Sequence, residues 1–390
     1  MIDRNKNRLG YKHTKVGWIP NDWACVPLKQ CLTIKHGKPR KTIEVRDGAY
    51  PILGSGGIIG RTNSFLFDKP SVLIGRKGTI DKPQYMASPF WTVDTLFYTA
   101  LKNGNSAKFF YYVFSAINWR RYNEASGVPS LSSSTILSID TALPSLAEQT
   151  KIERVLSQCD ETIETLGKLI TAKEKLKKGM AQQLLTGKKR FKKFKNHRWK
   201  LTKLKIFLIP TIRATSKPNE AFLSLGIRSH GKGIFHKCDF EPEDIALDEL
   251  YEVKENDLIV NITFAWEGAV AIASSNDDGG LVSHRFPTYM FKLDKMLPAY
   301  MKHVIQQKRF VFDLGLVSPG GAGRNRVLNK SDFLNIQLNI PNIEEQQKIA
   351  SVLNTADKEI YQLKEKLELL KQQKKGLMQK LLTGEIRVKI

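Results

Sequence analysis

The sequence predicts an α+β protein: two α/β globules separated by a pair of long antiparallel helices in a coiled coil, with a pseudo-twofold internal repeat. Residues 143–191 and 340–388 align without a gap at a constant offset of 197. Both copies set apolar residues three and four apart over about 40 residues, the spacing of a helical seam. The stretches between the copies carry short β-branched runs bounded by Gly, Pro and Asp, as strands are. A repeat of this length sets the architecture before any local feature does.

Taken in order, residues 1–17 are polar and read as a loosely held N-terminal arm. Residues 18–143 form the first globule, with strand-like Ser71-Val72-Leu73-Ile74 and Trp91-Thr92-Val93. Residues 109–119 are apolar nearly all round and suit a buried helix. The first helical copy spans 144–187. Ser145 stands three residues before Glu148, a capping-box spacing, and Gly187 follows Leu184-Leu185-Thr186 where a left-handed stop belongs. A basic linker, 188–198, leads to the second globule, 199–340. There residues 257–262 and 269–272 read as strands and a helix lies near 298–312. The second copy, 341–384, repeats the end signals with Asn342 before Glu345 and with Gly384; residues 385–390 are a short tail.

Each rod should be roughly 60 Å long at helical rise. Ile163, Leu166 and Ile170 in the first copy and Ile360, Leu363 and Leu367 in the second are candidate positions for helix pairing or partner binding; Lys173, Lys177 and Lys374 interrupt the seams. A seam needs a partner, and the other copy supplies one. The globules echo one another at Trp23 to Lys29 and Trp199 to Lys205, an offset of 176, so the second holds 21 residues more.

Lys and Arg number 62 against 38 Asp and Glu, a net charge of +24. That surplus implies an anionic partner. Nucleic acid is favoured over a membrane, since no apolar run approaches the ~18 residues of a spanning helix. The four cysteines form no CxxC pair, as in a reduced cytoplasmic protein without disulfides or structural zinc. No signal segment opens the chain.

Motifs for catalysis are missing. Gly54-Ser55-Gly56-Gly57-Ile58-Ile59 fails the dinucleotide fingerprint at Ile59 and reads as a turn. No Walker A loop, HExxH, GxSxG or amino-methyltransferase Asn/Asp-Pro-Pro-Tyr/Phe motif occurs, and no cofactor is implied. His230, His236 and Cys238 lack a second ligand pair at finger spacing. What remains is binding surface on glycine-flanked basic loops. Arg76, Lys77 and Thr79 lie in one; His284 and Arg285 in a second; Arg324, Asn325 and Arg326 in a third. Ser130 and Ser132 belong to a polar loop upstream of the first rod, as the third loop is upstream of the second. Glycine lets backbone N–H groups approach phosphates, while Arg and Asn read guanine and adenine edges bidentately.

These features together resemble the specificity subunits of type I restriction–modification systems. The resemblance rests on the globule–rod–globule–rod order, the rod openings with Glu148-Gln149 and Glu345-Gln346, and the Leu-Leu-Thr-Gly ends. Gly17-Trp18-Ile19-Pro20-Asn21-Asp22-Trp23 and Gly75-Arg76-Lys77-Gly78-Thr79 also fit. It covers nearly the whole chain, more loosely in the second globule. It implies two target-recognition domains, each reading one half of a split double-stranded DNA site, with the rods setting the spacer. It further implies two modification subunits docked on the helices to methylate adenine, and restriction subunits joined through the complex. The chain itself would then be non-catalytic. The alternatives are a recognition subunit of another methyltransferase–nuclease class, a coiled-coil scaffold that does not touch DNA, and a free-standing enzyme.

Overall fold

The computed structural model describes residues 8–240, 242–244, 246–321 and 326–389. The chain forms two compact units, one of residues 1–167 with 365–390 and one of residues 168–364. Each boundary falls inside a long helix, the first rod Leu146–Leu184 or the second rod Ile343–Leu382. A unit therefore holds one globule, the opening half of the rod that follows it and the closing half of the other rod.

The rods begin and end where the local chemistry dictates. Ser145 Oγ accepts from the Glu148 N–H at 3.3 Å and Asn342 Oδ1 from the Glu345 N–H at 3.0 Å, satisfying a helix-start donor in each. Gly187 and Gly384 have φ of 72° and 69°, the left-handed stop that a Cβ would strain. The expected capping box is only half made, because the two glutamates turn inward to stronger donors. Glu148, 1% exposed, accepts from Trp23 Nε1 at 2.9 Å and Arg387 Nε at 2.6 Å. Glu345, also 1% exposed, accepts from Trp199 Nε1 at 3.1 Å and Arg190 Nε at 2.9 Å. A charged guanidinium outcompetes the neutral N–H of the cap residue. These bonds raise the pKa of each arginine above its ordinary value.

The adjacent glutamines tie rod to globule in the same way twice. Gln149 donates to Pro144 O and Asn105 Oδ1 and accepts from the Ser106 N–H. Gln346 donates to Pro341 O and Lys295 O and accepts from the Leu297 N–H.

In unit 1 a four-stranded antiparallel sheet runs in the order Leu32–His36, Leu96–Leu101, Ser71–Gly75, Gln84–Met86. A second sheet joins Gly57–Thr62, Tyr50–Gly54 and Trp91–Thr92, the last pair parallel. Helix Ala107–Ala116, capped by Ser106, packs Phe109, Phe110 and Phe114 against Val72, Ile74 and Phe97. The same core takes Ile152 and Leu156 from the first rod and Leu381 from the second. Burying each such side chain contributes about 1.5–3 kcal/mol. Within this unit the rod halves run antiparallel, with Lys374 paired to Asp160.

Unit 2 repeats the plan. Its four-stranded sheet has the matching order Leu208–Thr211, Thr288–Phe291, Leu258–Val260, Val270–Ile272. Its second sheet has five strands, and the antiparallel partners Ala214–Ser216 and Glu249–Glu252 are the addition. Ala181 and Leu184 of the first rod share the core with Ile349 and Leu353 of the second. Lys177–Asp357 and Lys364–Glu174 ion pairs fix the antiparallel pairing here.

Several expectations are corrected. From Arg8 onward the N-terminal arm is not loose: Tyr11–Thr14 and Gly17–Pro20 form a hairpin. Its Tyr11 hydroxyl donates to Gly384 O at 2.5 Å, and Arg8 donates to Glu385 O at 2.9 Å. The strand over 257–262 shrinks to Leu258–Val260. Asp257 instead pairs with Arg213, and Asn261 Oδ1 caps the Thr263 N–H in a local turn. The helix near 298–312 is two, Pro298–Val304 and Lys308–Leu316, broken at Gln307, whose backbone is extended.

Candidate nucleic-acid interface

In unit 1 the loop after strand Ser71–Gly75 is laced to two neighbours. The Arg76 N–H donates to Thr95 O at 2.8 Å, and Arg76 O accepts from the Leu131 N–H at 2.9 Å. The Gly78 N–H donates to Pro129 O at 2.8 Å, and Lys77 bridges Ser130. The structure thus brings Arg76, Lys77 and Thr79 together with Ser130. Gly75 makes the close loop possible: a Cβ there would lie 2.1 Å from Thr79 O. Lys77 is exposed, and Arg76, Thr79 and Ser130 are half-buried.

Unit 2 repeats the lacing with other side chains. The Ile262 N–H donates to Arg285 O at 3.1 Å, and Ile262 O accepts from the Leu328 N–H at 2.9 Å. Ile262 therefore holds the place of Arg76, Arg285 that of Thr95, and Leu328 that of Leu131. The arginine has changed strands, from the first loop to the facing turn. His284 and Arg285 are exposed on that turn. Two residues on from Ile262, in the place of Gly78, stands Phe264, a large apolar side chain 37% exposed.

Two candidates have other work. Ser132 caps helix Ser133–Ser138, accepting from the Thr135 N–H at 3.1 Å and donating to Glu124 Oε1 at 2.8 Å. Hydrogen bonds from Thr135 and Ser132 hold the Glu124 carboxyl below the usual carboxylate range, so it stays an acceptor that braces the loop. Arg326 donates to Ser318 O and Gly315 O, both at 3.1 Å, and lies 5.3 Å over the Trp266 ring. Its half-buried guanidinium is committed to carbonyls within the loop rather than presented outward. Arg324 and Asn325 lie outside the described residues.

Sequence reasoning passed over Asn123 and Phe264. Asn123 Oδ1 accepts from the Ser130 N–H at 2.9 Å, and its amide donates to Ala125 O at 2.7 Å, which shapes the serine-rich loop. The turn chemistry of an Asn before a Gly-Pro-containing stretch was the available signal. Phe264 gave none, because it sits in an apolar run.

Of the helix-pairing candidates, Leu166, Ile170 and Ile360 are buried and Ile163, Leu363 and Leu367 half-buried. In unit 1, Ile163 lines a groove of about 570 Å³ with Cys159, Leu370 and Leu377. Among the described residues no cluster of His, Cys, Asp and Glu is placed to hold a metal ion, and no helix is long and apolar enough to cross a membrane.

A sequence model of the type I restriction modification DNA specificity domain matches residues 20–174 and again 185–372. The chain is 25% identical to the type I restriction enzyme MjaVIII specificity subunit of Methanocaldococcus jannaschii, over 95% of this chain and 94% of that protein. It is 26% identical to the EcoDI specificity subunit of Escherichia coli over a shorter stretch, 37% of this chain and 34% of that one. Among solved structures, the S subunit of a type I restriction–modification system from M. genitalium shares the fold with a TM-score of 0.64 at 15% identity. That match covers 92% of this chain and 96% of the other.

Proposed function

The chain belongs to the type I restriction–modification DNA specificity family, with one specificity domain in each half, and from that premise we propose that each globule reads one half of a split duplex site while the paired rods set the spacer. The observation that supports this reading is the repeated lacing. Arg76, Thr95 and Leu131 in one unit, and Ile262, Arg285 and Leu328 in the other, build loops of one construction with different outward side chains. Two readers of the same make and different content suit a bipartite, asymmetric site.

In unit 1, Arg76 and Lys77 face the duplex; in unit 2, Arg285, His284 and Phe264 do. An arginine there can hold guanine O6 and N7 together, and an aromatic edge can meet a thymine methyl group. The chain supplies no catalysis of its own. Two modification subunits dock on the rods and transfer methyl groups to adenine, and restriction subunits join through the same assembly in the cytoplasm. The test is to map methylated adenines in DNA from cells that express this chain with its modification subunit. The expected result is one bipartite motif. Exchanging residues 199–340 for those of a relative should then change one half of it only. A swap that altered both halves, or methylation by the purified chain alone, would overturn the reading.

A further inference from the structure

Residues 188–200 take no part in the loop cluster. They carry eight lysines and arginines in thirteen positions. Arg190 is bonded to Glu345 and Lys193 to Glu344. The other six, Lys188, Lys189, Lys192, Lys195, Arg198 and Lys200, are exposed and make no ion pair among the described residues.

The segment is not a slack tether. Residues Lys192–Phe194 form a 3-10 turn, Phe194 is 4% exposed, and Arg190 and Trp199 are both fixed to Glu345. The cations are therefore held close together on a rigid frame, where they repel one another unless an anion is shared. The stretch that follows the second rod in unit 1 has no such surplus: residues 385–390 carry Arg387 and Lys389 beside Glu385, and Arg387 is paired with Glu148 and Asp22.

The chemistry of this face selects its partner. Its aromatic residues point inward: Phe194 is buried and Phe191 and Trp199 half-buried. Protein interfaces are depleted in lysine and need a desolvated aromatic or apolar anchor. Phosphates need only point charges, which lysine supplies. The register places the segment away from the reading loops. Lys200 pairs with Ile340 at one end of a two-stranded ladder, while the chain returns to Leu328 beyond the other end, through Ile336 and helix Lys330–Asn335.

We propose that this face of unit 2 binds the phosphate backbone of duplex DNA outside the bases read by the loops, adding affinity without sequence information. The proposal rests on the reading of the chain as a duplex-DNA specificity subunit. It is tested on the chain assembled with its modification subunit, in a variant carrying K188Q, K189Q, K192Q, K195Q, R198Q and K200Q, which spares every anchor of the segment. Two duplexes serve as probes, one cut to the mapped site and one extended on both sides. On the long duplex, affinity should fall at least tenfold, and the slope of log K against log salt should drop by about 3–5, near 0.9 per lost phosphate contact. On the short duplex it should change less than twofold, and the methylated motif should be unchanged. The milder pair K192E with K195E should shift the long-duplex affinity in the same direction. Equal salt slopes, an equal loss on both duplexes, or loss of modification-subunit binding with DNA affinity intact would overturn it; the last result would mark an acidic protein partner. If the unaltered assembly shows no salt-dependent duplex binding, it is the specificity reading that fails.

Discussion

At the joint between globule and rod, the two units fill one socket with different side chains. In unit 1 the Tyr112 hydroxyl donates to Asp160 Oδ2 at 2.8 Å and lies 3.1 Å from Ser157 Oγ, with Lys374 5.3 Å from the ring centroid and paired to Asp160. In unit 2 the place of Tyr112 is taken by His303. Its Nε2 lies 2.9 Å from Asn354 Oδ1, and its Nδ1, 3.9 Å from Asp357, has no hydrogen-bond partner among the described residues. Asn354, Asp357 and Lys177 match Ser157, Asp160 and Lys374 at the rods' offset of 197. The carboxylate and lysine are duplicated while the group that meets them is not. A phenol reaches the carboxylate; the shorter imidazole bonds the nearer amide and leaves a nitrogen unanswered. Burial holds His303 below its ordinary value and pushes the Tyr112 hydroxyl up, so burial disfavours the charged form of the group in both joints. The rod surfaces differ likewise: the Lys173–Glu359 ion pair of unit 2 stands where unit 1 has Leu370 and Thr162 beside its apolar groove.

The largest test of this comparison is the buried glutamate. Glu345→Ala removes the carboxylate partner of Arg190, whose side chain is only 16% exposed and keeps the His197 carbonyl, and should cost about 3 kcal/mol or more. Glu148→Ala should cost less, because Arg387 is 36% exposed and keeps Asp22 as a partner. Urea unfolding of each variant measures both, and equal losses would show that solvent access to the arginine does not matter. Gln149→Ala and Gln346→Ala come next. Both glutamines make the same pattern of bonds, so both losses should be alike, about 1–3 kcal/mol; a clear difference would break the equivalence of the two rod openings.

Arg76→Ala and Arg285→Ala test the loops. Each should weaken DNA binding by about 1–3 kcal/mol and relax one half of the motif only, Arg76 in one half and Arg285 in the other. A change in the same half for both would refute the exchange of strands. The smallest effect is on pH. Below about 6.5 the unfolded chain takes up a proton that buried His303 refuses, so stability falls as pH drops through that value. Asp357 favours that proton, and Lys177 and Lys302 oppose it. His303→Gln should flatten the acid limb of a stability profile by up to about 1 kcal/mol per pH unit, while Tyr112→Phe should leave its slope unaltered.

The helical half of this architecture was legible because its signals are local. Leu184-Leu185-Thr186-Gly187, Ser145 before Glu148 and the apolar spacing act over a few residues, and the repeat doubled each of them. The role of Glu148 was not legible, since Trp23 and Arg387 lie 125 and 239 residues away and nothing local marks them as partners. For the same reason the arm looked loose: Tyr11 finds its acceptor at Gly384. In the candidate interface, Gly75 and Gly78 exposed the basic loop of unit 1, because close backbone approach demands glycine. Unit 2 builds the same loop on Asn261 and Ile262 without that signature. The capping role of Ser132 was not legible, because a cap and a polar loop residue look alike until the helix behind it is known.

The division of the rods has a consequence for synthesis. Unit 2 is a single stretch, Lys168–Lys364, and every partner that closes it, from Arg190 to Glu345, has emerged once that stretch is made. Unit 1 is interrupted, and its Glu148 waits for Arg387, its Asp160 for Lys374 and its Tyr11 for Gly384. Domains of a growing chain generally fold as units in the order they appear, but here the half that is translated first is the half that must be finished last. Until the closing half of the second rod is made, unit 1 lacks Leu381, which shares a core with Ile152 and Leu156, and Arg387, which lies over Trp23, so the interruption of unit 1, rather than the order of the globules, decides which is complete first.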